Sequence, residues 1–364
     1  MNMVNIAVIG SGIIGKVHAW AAAKSGKSKL VACVDTDRPR AEALAKEYGG
    51  NAECDYRRVL DDKNVHAVSI GTPHFEHAQM YFDAIAAGKH VICEKPLTTT
   101  PENLYTMIDI SKARRDLVIT GVFQHRFSPI TRAIQKRIAD GAIGKITSGS
   151  VDFECTRTRE YYGSDAWRGK WKFEGGGMLI NQAIHTIDSL SLFFGRPVAV
   201  DARVERRRMD TIEVEDYADG VFEYPGGVKL KFHAENVPGN KWGADVHING
   251  EKGSIAYDSA ASHKVNKLET PDSGFRRALD EAEKEEAALF AKTPGKAEYG
   301  SFHDLQFLDF IEAILEDRRP RFEIADVSIA NEIVLAMYHS TATGKRVALP
   351  IGETYRQPLL EIKK

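Results

Sequence analysis

Val4-Asn5-Ile6-Ala7-Val8-Ile9-Gly10-Ser11-Gly12-Ile13-Ile14-Gly15 is the stretch that decides the fold. Its first six residues form an apolar run of strand length, and residues 16–24 continue as a helical pattern. Between strand and helix the glycines fall at the spacing GxGxxG. The first permits a tight turn, the second lets a ligand approach the backbone, and the third lets helix and strand pack closely. The start of the helix then offers unpaired N–H groups to an anion such as a pyrophosphate. Gly10, Gly12, Ile13, Ile14 and Gly15 are therefore expected to cradle a dinucleotide.

Working outward, residues 30–34 form a second strand that ends in Asp35. An acidic residue about twenty positions beyond the glycine loop is placed to accept from an adenosine ribose hydroxyl. That favours NAD, with NADP possible because Arg38 stands close by in the sequence. Helix 40–48, strand 67–71, helix 77–87, the strand from His90, helix 101–114 and strand 117–122 follow. Strands alternating with helices predict a doubly wound parallel sheet, the Rossmann arrangement.

A second stretch gives that sheet its chemistry. Val91-Ile92-Cys93-Glu94-Lys95-Pro96-Leu97 is a buried strand that delivers a carboxylate and an ammonium to its C-terminal end. In open α/β sheets ligands bind at that end, and the pKa of a lysine there responds to burial and to its neighbours. His74 and His77 stand three residues apart, but a third ligand at suitable spacing is not nearby, so no metal is expected.

The whole chain, 364 residues long, is sufficient for two domains, and its 43% apolar and 27% charged residues are ordinary for a globular protein. A formal net charge of −2 argues against nucleic acid or anionic membrane as a partner. Four scattered cysteines, Cys33, Cys54, Cys93 and Cys155, fit reduced thiols. The first residues run directly into strand pattern without a charged leader, so a cytoplasmic protein is expected.

From about Phe127 the pattern changes. Residues 129–140 read as a helix and 145–156 as an alternating strand. Further strands are expected at 198–205, 217–224, 228–237, 245–249 and 254–257. Turn signals at Pro225-Gly226-Gly227 and Gly250-Glu251-Lys252-Gly253 make neighbouring strands antiparallel. Residues 259–299 read as a loop followed by a charged helix. After Gly175-Gly176-Gly177 a helix is expected with Ile180, Ile184 and Ile187 on an apolar stripe. Asn181, His185 and Asp188 then lie on a polar one.

Several short motifs together resemble the Gfo/Idh/MocA oxidoreductases, which include glucose–fructose oxidoreductase and inositol dehydrogenase. They are Gly71-Thr72-Pro73 with His77, Ala87-Gly88-Lys89-His90-Val91, Glu94-Lys95-Pro96-Leu97, and Gln124 and Arg126 before Pro129. Trp167-Arg168, Gly175-Gly176-Gly177, His185 with Asp188, and Gly344-Lys345-Arg346-Val347-Ala348-Leu349-Pro350 extend the resemblance over nearly the whole chain. It implies a dinucleotide-binding Rossmann domain, 1–124, and a substrate-binding and oligomerisation α+β domain, 125–364, with a large, mostly antiparallel open sheet. A homodimer or homotetramer is expected, because such a sheet leaves one face in need of cover.

The resemblance also assigns roles. Thr72, Pro73, His77, Glu94, Lys95, Gln124, Trp167 and Arg168 are expected at the cofactor, beside the glycine loop, Asp35 and Arg38. Lys95, Arg126, Tyr161, Asn181 and His185 are expected at the substrate, with Lys95 and His185 catalytic. Many relatives carry an aspartate where this chain has Asn181, and an amide orients a ring without lending it charge. The aromatic and basic run from Arg157 to Lys172 suits a sugar or an acidic group, or a subunit interface.

The expected activity is NAD(P)-dependent hydride transfer at a secondary alcohol carbon of a sugar, sugar derivative or cyclic polyol. A non-catalytic nucleotide-binding regulator of the same fold, or a reductase like biliverdin reductase, is the alternative. A regulator has no use for both Lys95 and His185.

Overall fold

The computed structural model describes residues 2–237, 239, 242–260, 264–290 and 301–362. Packing divides the chain into two units. The first comprises Met1–Thr98, Glu102–Phe127 and Phe290–Ser328, and the second Thr99–Pro101, Ser128–Leu289 and Ile329–Lys364.

The first unit is built on β1 (Val4–Ile9), β2 (Ser28–Val34), β3 (Asn51–Glu53), β4 (Ala67–Ile70), β5 (His90–Cys93) and β6 (Ile119–Gly121). They form one sheet in the order β3-β2-β1-β4-β5-β6, with every pair parallel. This is the doubly wound order, whose strand order reverses between β1 and β4. The connecting helices are α1 (Ile13–Lys24), α2 (Arg38–Tyr48), α3 (Tyr56–Asp61), α4 (His77–Ala86) and α5 (Pro101–Ala113). β3 and α3 were not anticipated, being only three and six residues long and too short for periodicity to show.

The late segment joins this unit for a hydrophobic reason. Phe307, Phe310 and Ile311 share one buried cluster with Ala19, Ala21 and Ala22 of α1 and with Val4, Ile6 and Val8 of β1. Each large side chain removed from water contributes roughly 2–3 kcal/mol. The small alanines leave room for the two phenylalanines.

The second unit carries an eight-stranded sheet in the order β13-β12-β11-β7-β10-β9-β8-β14. Its strands are β7 (Ile146–Cys155), β8 (Ala199–Glu205), β9 (Tyr217–Glu223), β10 (Lys229–Asn236), β11 (Gly243–Gly250), β12 (Ser254–Asp258), β13 (Val265–Glu269) and β14 (Val347–Ala348). Among the described residues, β7 and β10 are the one parallel pair of strands in this sheet. The expected turns between β9 and β10 and between β11 and β12 join antiparallel neighbours. Alternate residues of β10 and β11 are buried and exposed, so one face forms core.

The unit's helices include α6 (Pro129–Ala139), α7 (Arg159–Gly163), α8 (Ile184–Phe194) and α9 (Ser273–Phe290). The chain also forms α10 (His303–Leu315) and α11 (Ile324–Thr343). The region expected as loop and helix instead contains β13, an edge strand whose polar sequence Val265-Asn266-Lys267-Leu268-Glu269 hides its pairing with β12. The rest of that region does hold the charged helix α9, while residues 261–263 and 291–300 lie outside the described residues. Among the described residues no helix is long and apolar enough to cross a membrane.

Candidate active site

In the first unit, the glycine loop is shaped as a cradle. A Cβ on Gly15 would lie 1.8 Å from the Gly10 carbonyl oxygen, and one on Gly10 would lie 2.4 Å from that of Gly71. Gly12 meets nothing within 4 Å, and as the N-cap of α1 it supplies no side-chain hydrogen bond. Open space in front of an uncapped helix start fits a pyrophosphate. Asp35 accepts from the backbone of Ser11 and of Asp37, each at 2.9 Å, so its carboxylate is fixed beside the loop. Burial and the charge of Asp35 raise the pKa of Glu76. Arg38 is held at 2.8 Å by Glu42, one turn along α2. The surroundings of Asp35 are thus acidic, which suits a free ribose hydroxyl better than a 2′-phosphate.

At the end of β5 the run 91–98 is buried apart from Lys95, which keeps partial exposure. Glu94 was expected at the cofactor, but it is 5% exposed and points into the protein. Its Oε2 accepts the Lys95 backbone N–H at 2.9 Å, and its Oε1 lies 3.1 Å from His18 Nε2. Ser69 Oγ is 2.7 Å from His18 Nδ1, and His303 Nε2 is 3.6 Å from the same Glu94 oxygen. Burial would raise the Glu94 carboxyl, but the bonds from His18 and His303 and the charge of Lys95 outweigh it, holding it well below its usual range. Burial lowers His18, with Glu94 acting against it. A neutral His18 can accept from Ser69 and donate to an anionic Glu94. Glu94 is therefore an anchor beneath Lys95.

His77, also expected at the cofactor, is held by backbone. It is fully buried, with Nδ1 2.7 Å from the Pro96 carbonyl and Nε2 2.9 Å from that of Thr72. It ties the exit of β4, at Thr72-Pro73, to the turn after Lys95. Both ring nitrogens face backbone carbonyls, and the neutral ring that burial favours donates to one of them. Gln124 is buried, and among the described residues its Oε1 has no hydrogen-bond partner. Arg126 is 3% exposed, donates to the Asp326 carbonyl at 2.8 Å and lies over Phe322.

In the second unit, residues 174–191 are buried with one exception, His185, which keeps partial exposure. The helix before it departs from the expected stripe. Leu179–Ala183 is a π-helical turn, which widens the spacing, so Asn181 and His185 are not stacked one α-turn apart. Glu215 underlies this turn. It is fully buried and accepts from the backbone of Gly177 and Leu179, each at 2.8 Å, and from the Tyr338 hydroxyl at 3.0 Å. Burial pushes its carboxyl up to about 7, against those hydrogen bonds. A side chain on Gly177 would strike the Glu215 carbonyl oxygen at 2.3 Å, so the close approach requires glycine.

Asn181 is tied to a buried carboxyl group. Its Nδ2 donates to the buried Glu174 at 2.5 Å and lies 3.2 Å from the Tyr161 hydroxyl. The same hydroxyl accepts from Arg168 Nη1 at 2.6 Å, and Gln182 Nε2 is 3.5 Å away. Arg168 also pairs with Asp165 at 3.2 Å and lies over the rings of Tyr161 and Trp167. Tyr161, Asn181, Trp167 and Arg168 thus belong to one cluster with Glu174 and Gln182. His18, His303, Glu174 and Glu215 escaped sequence reading, because a single buried polar residue carries no pattern. The nearest signal was Glu174 abutting the glycine run.

The glycine cradle, with Asp35 fixed beside it, fits a dinucleotide cofactor. The chain belongs to the Gfo/Idh/MocA family. The profile described as "Oxidoreductase family, NAD-binding Rossmann fold" matches residues 4–122, and the family's C-terminal domain matches residues 131–256. Levoglucosan dehydrogenase of Pseudarthrobacter phenanthrenivorans is 32% identical over 213 residues, 56% of this chain and 54% of that protein. The chain thus spans about half the length of that relative in the alignment. The structure of WlbA dehydrogenase from Bordetella pertussis with NADH and UDP-GlcNAcA superposes with a TM-score of 0.86 at 25% identity, covering 96% of this chain and 98% of that one. Levoglucosan dehydrogenase with NADH and L-sorbose gives a TM-score of 0.80 at 26% identity, covering 96% and 100%.

Proposed function

We propose that this protein oxidises a secondary alcohol of a sugar, a sugar derivative or a cyclic polyol, or reduces the corresponding ketone, with NAD preferred over NADP. The observation that carries the reading is shared by two buried runs. Within 91–98 only Lys95, and within 174–191 only His185, is partly exposed, while the other residues are buried. A protein that merely sensed a nucleotide would gain nothing from holding these two groups out of otherwise closed segments. The relatives point the same way, since levoglucosan, L-sorbose and UDP-GlcNAcA all carry ring or chain alcohols.

When bound, the nicotinamide accepts or returns the hydride. The chain's own residues manage the proton and the oxygen. His185 takes the hydroxyl proton as general base, while Lys95 donates a hydrogen bond to the oxygen and stabilises the charge that builds there. Glu94, set by His18 and His303, fixes the backbone of Lys95. Glu174 holds Asn181, and Tyr161, beside them, holds Arg168. Gly10, Gly12, Ile13, Ile14 and Gly15 hold the pyrophosphate, and Asp35 the ribose. The open polar face of the eight-stranded sheet suits a homodimer or homotetramer.

The test is a panel of polyols, aldoses, uronates, anhydrosugars and nucleotide sugars, with NAD and with NADP, followed by reduced-nicotinamide absorbance. Turnover with at least one sugar supports the reading. NADH binding without turnover of any compound would favour the regulator.

A further inference from the structure

Arg157 stands between β7 and α7, and its backbone is clamped. Buried Asn236 accepts the Arg157 N–H at 2.7 Å and donates to its carbonyl at 3.0 Å. The guanidinium is set with equal care. Its carbon lies 4.5 Å from the Tyr161 ring centroid and 4.6 Å from that of Trp242. Nη2 donates to Gln182 Oε1 at 3.0 Å and Nη1 to the Thr156 carbonyl at 3.4 Å. Nε is enclosed and has no hydrogen-bond partner among the described residues.

Both acceptors are neutral. Among the described residues, no carboxylate pairs with Arg157, although its neighbours are neutralised: Arg159 by Asp210 at 2.5 Å and Arg168 by Asp165. A half-buried cation without a counter-ion is costly to hold, and a guanidinium has five N–H donors, of which two are used here. Its two rings and the Asn236 clamp have already restricted the side chain, so little further entropy is lost when an anion docks. Gln182, its partner, sits beside Asn181 on the turn that leads into His185.

We propose that Arg157 is the anchor for an anionic group, a carboxylate or a phosphate, carried by the sugar substrate. The proposal rests on the sugar-oxidoreductase reading above and adds a selectivity to it. Neutral sugars would bind without satisfying Arg157, and their acidic counterparts would bind more tightly.

Calorimetric titration of the NADH-saturated protein tests this. The probes are matched sets: D-glucose, D-galactose and D-mannose, their uronates, and their 6-phosphates. At least one anion should bind about tenfold or more tightly than its parent sugar, the size expected of a charge-assisted fork. Arg157→Gln should erase that advantage while leaving NADH affinity and the neutral sugar within about threefold. Arg157→Lys, which keeps the charge and loses the fork, should retain part of it. The winning set assigns carboxylate or phosphate. Equal binding of neutral and anionic partners by wild type, or an anion advantage that survives Arg157→Gln, would overturn the proposal. Turnover of neutral sugars alongside either result would leave the oxidoreductase reading standing, and absence of turnover with every sugar would count against that reading instead.

Discussion

The side-chain amide of Asn181 donates to Glu174 at 2.5 Å, so a buried carboxylate stands directly behind the residue four positions before His185. Asn181, an amide without charge of its own, is thus backed by a carboxylate one hydrogen bond away. If His185 is the base, the acid limb of the kcat/KM profile reports its pKa in the free enzyme. Glu174→Gln removes a negative charge and should move that limb to lower pH. Asn181→Asp sets two carboxylates in contact, which then share a proton. The net charge near His185 hardly changes, and the limb should stay within about half a unit. A limb unmoved by Glu174→Gln but abolished by Lys95→Met would make Lys95 the titrating base.

Cofactor choice follows from the acidic corner around Asp35. Turnover should be faster with NAD than with NADP. Asp35→Ala should narrow the ratio by roughly tenfold, about 1.4 kcal/mol. Adding Glu42→Gln releases Arg38 from its ion pair and should narrow it further. Equal or better turnover of wild type with NADP would refute the assignment.

Glu215 gives stability a pH signature. Its folded carboxyl is raised from 4.5 to about 7. A raised pKa contributes stability below the unfolded value, and that contribution is lost as pH rises through 4.5 to about 7. Glu215→Gln cannot titrate. Its destabilisation relative to wild type in urea should therefore be largest at pH 5 and smaller at pH 8, by roughly 2–3 kcal/mol at 1.36 kcal/mol per unit. A difference independent of pH would mean that Glu215 is ionised throughout.

Much of this was legible in the sequence, and the reason is periodicity. Strands β1, β2, β4 and β5 are apolar runs bounded by glycine, proline or charge, and the glycine loop has a fixed spacing, so the parallel sheet followed. The alternating strands of the second sheet were equally readable. β13 was not, because an exposed edge strand needs no apolar face. The π-turn at Leu179–Ala183 was hidden as well, since it depends on Glu215, far along the chain, holding the backbone of Gly177 and Leu179. Lys95 and His185 stood out by chemistry and spacing. The buried groups that set them did not, because a hydrogen bond between His18 and Glu94 spans 76 residues.

The most direct test of the account is the effect of Lys95→Ala on a substrate identified in the sugar panel. With NADH affinity measured in parallel, kcat/KM should fall by about two to four decades while the cofactor binds as before, the loss expected of a group that acts on the reacting oxygen. Collapse of NADH affinity with turnover of the bound enzyme preserved would make Lys95 a cofactor ligand and contradict the mechanism.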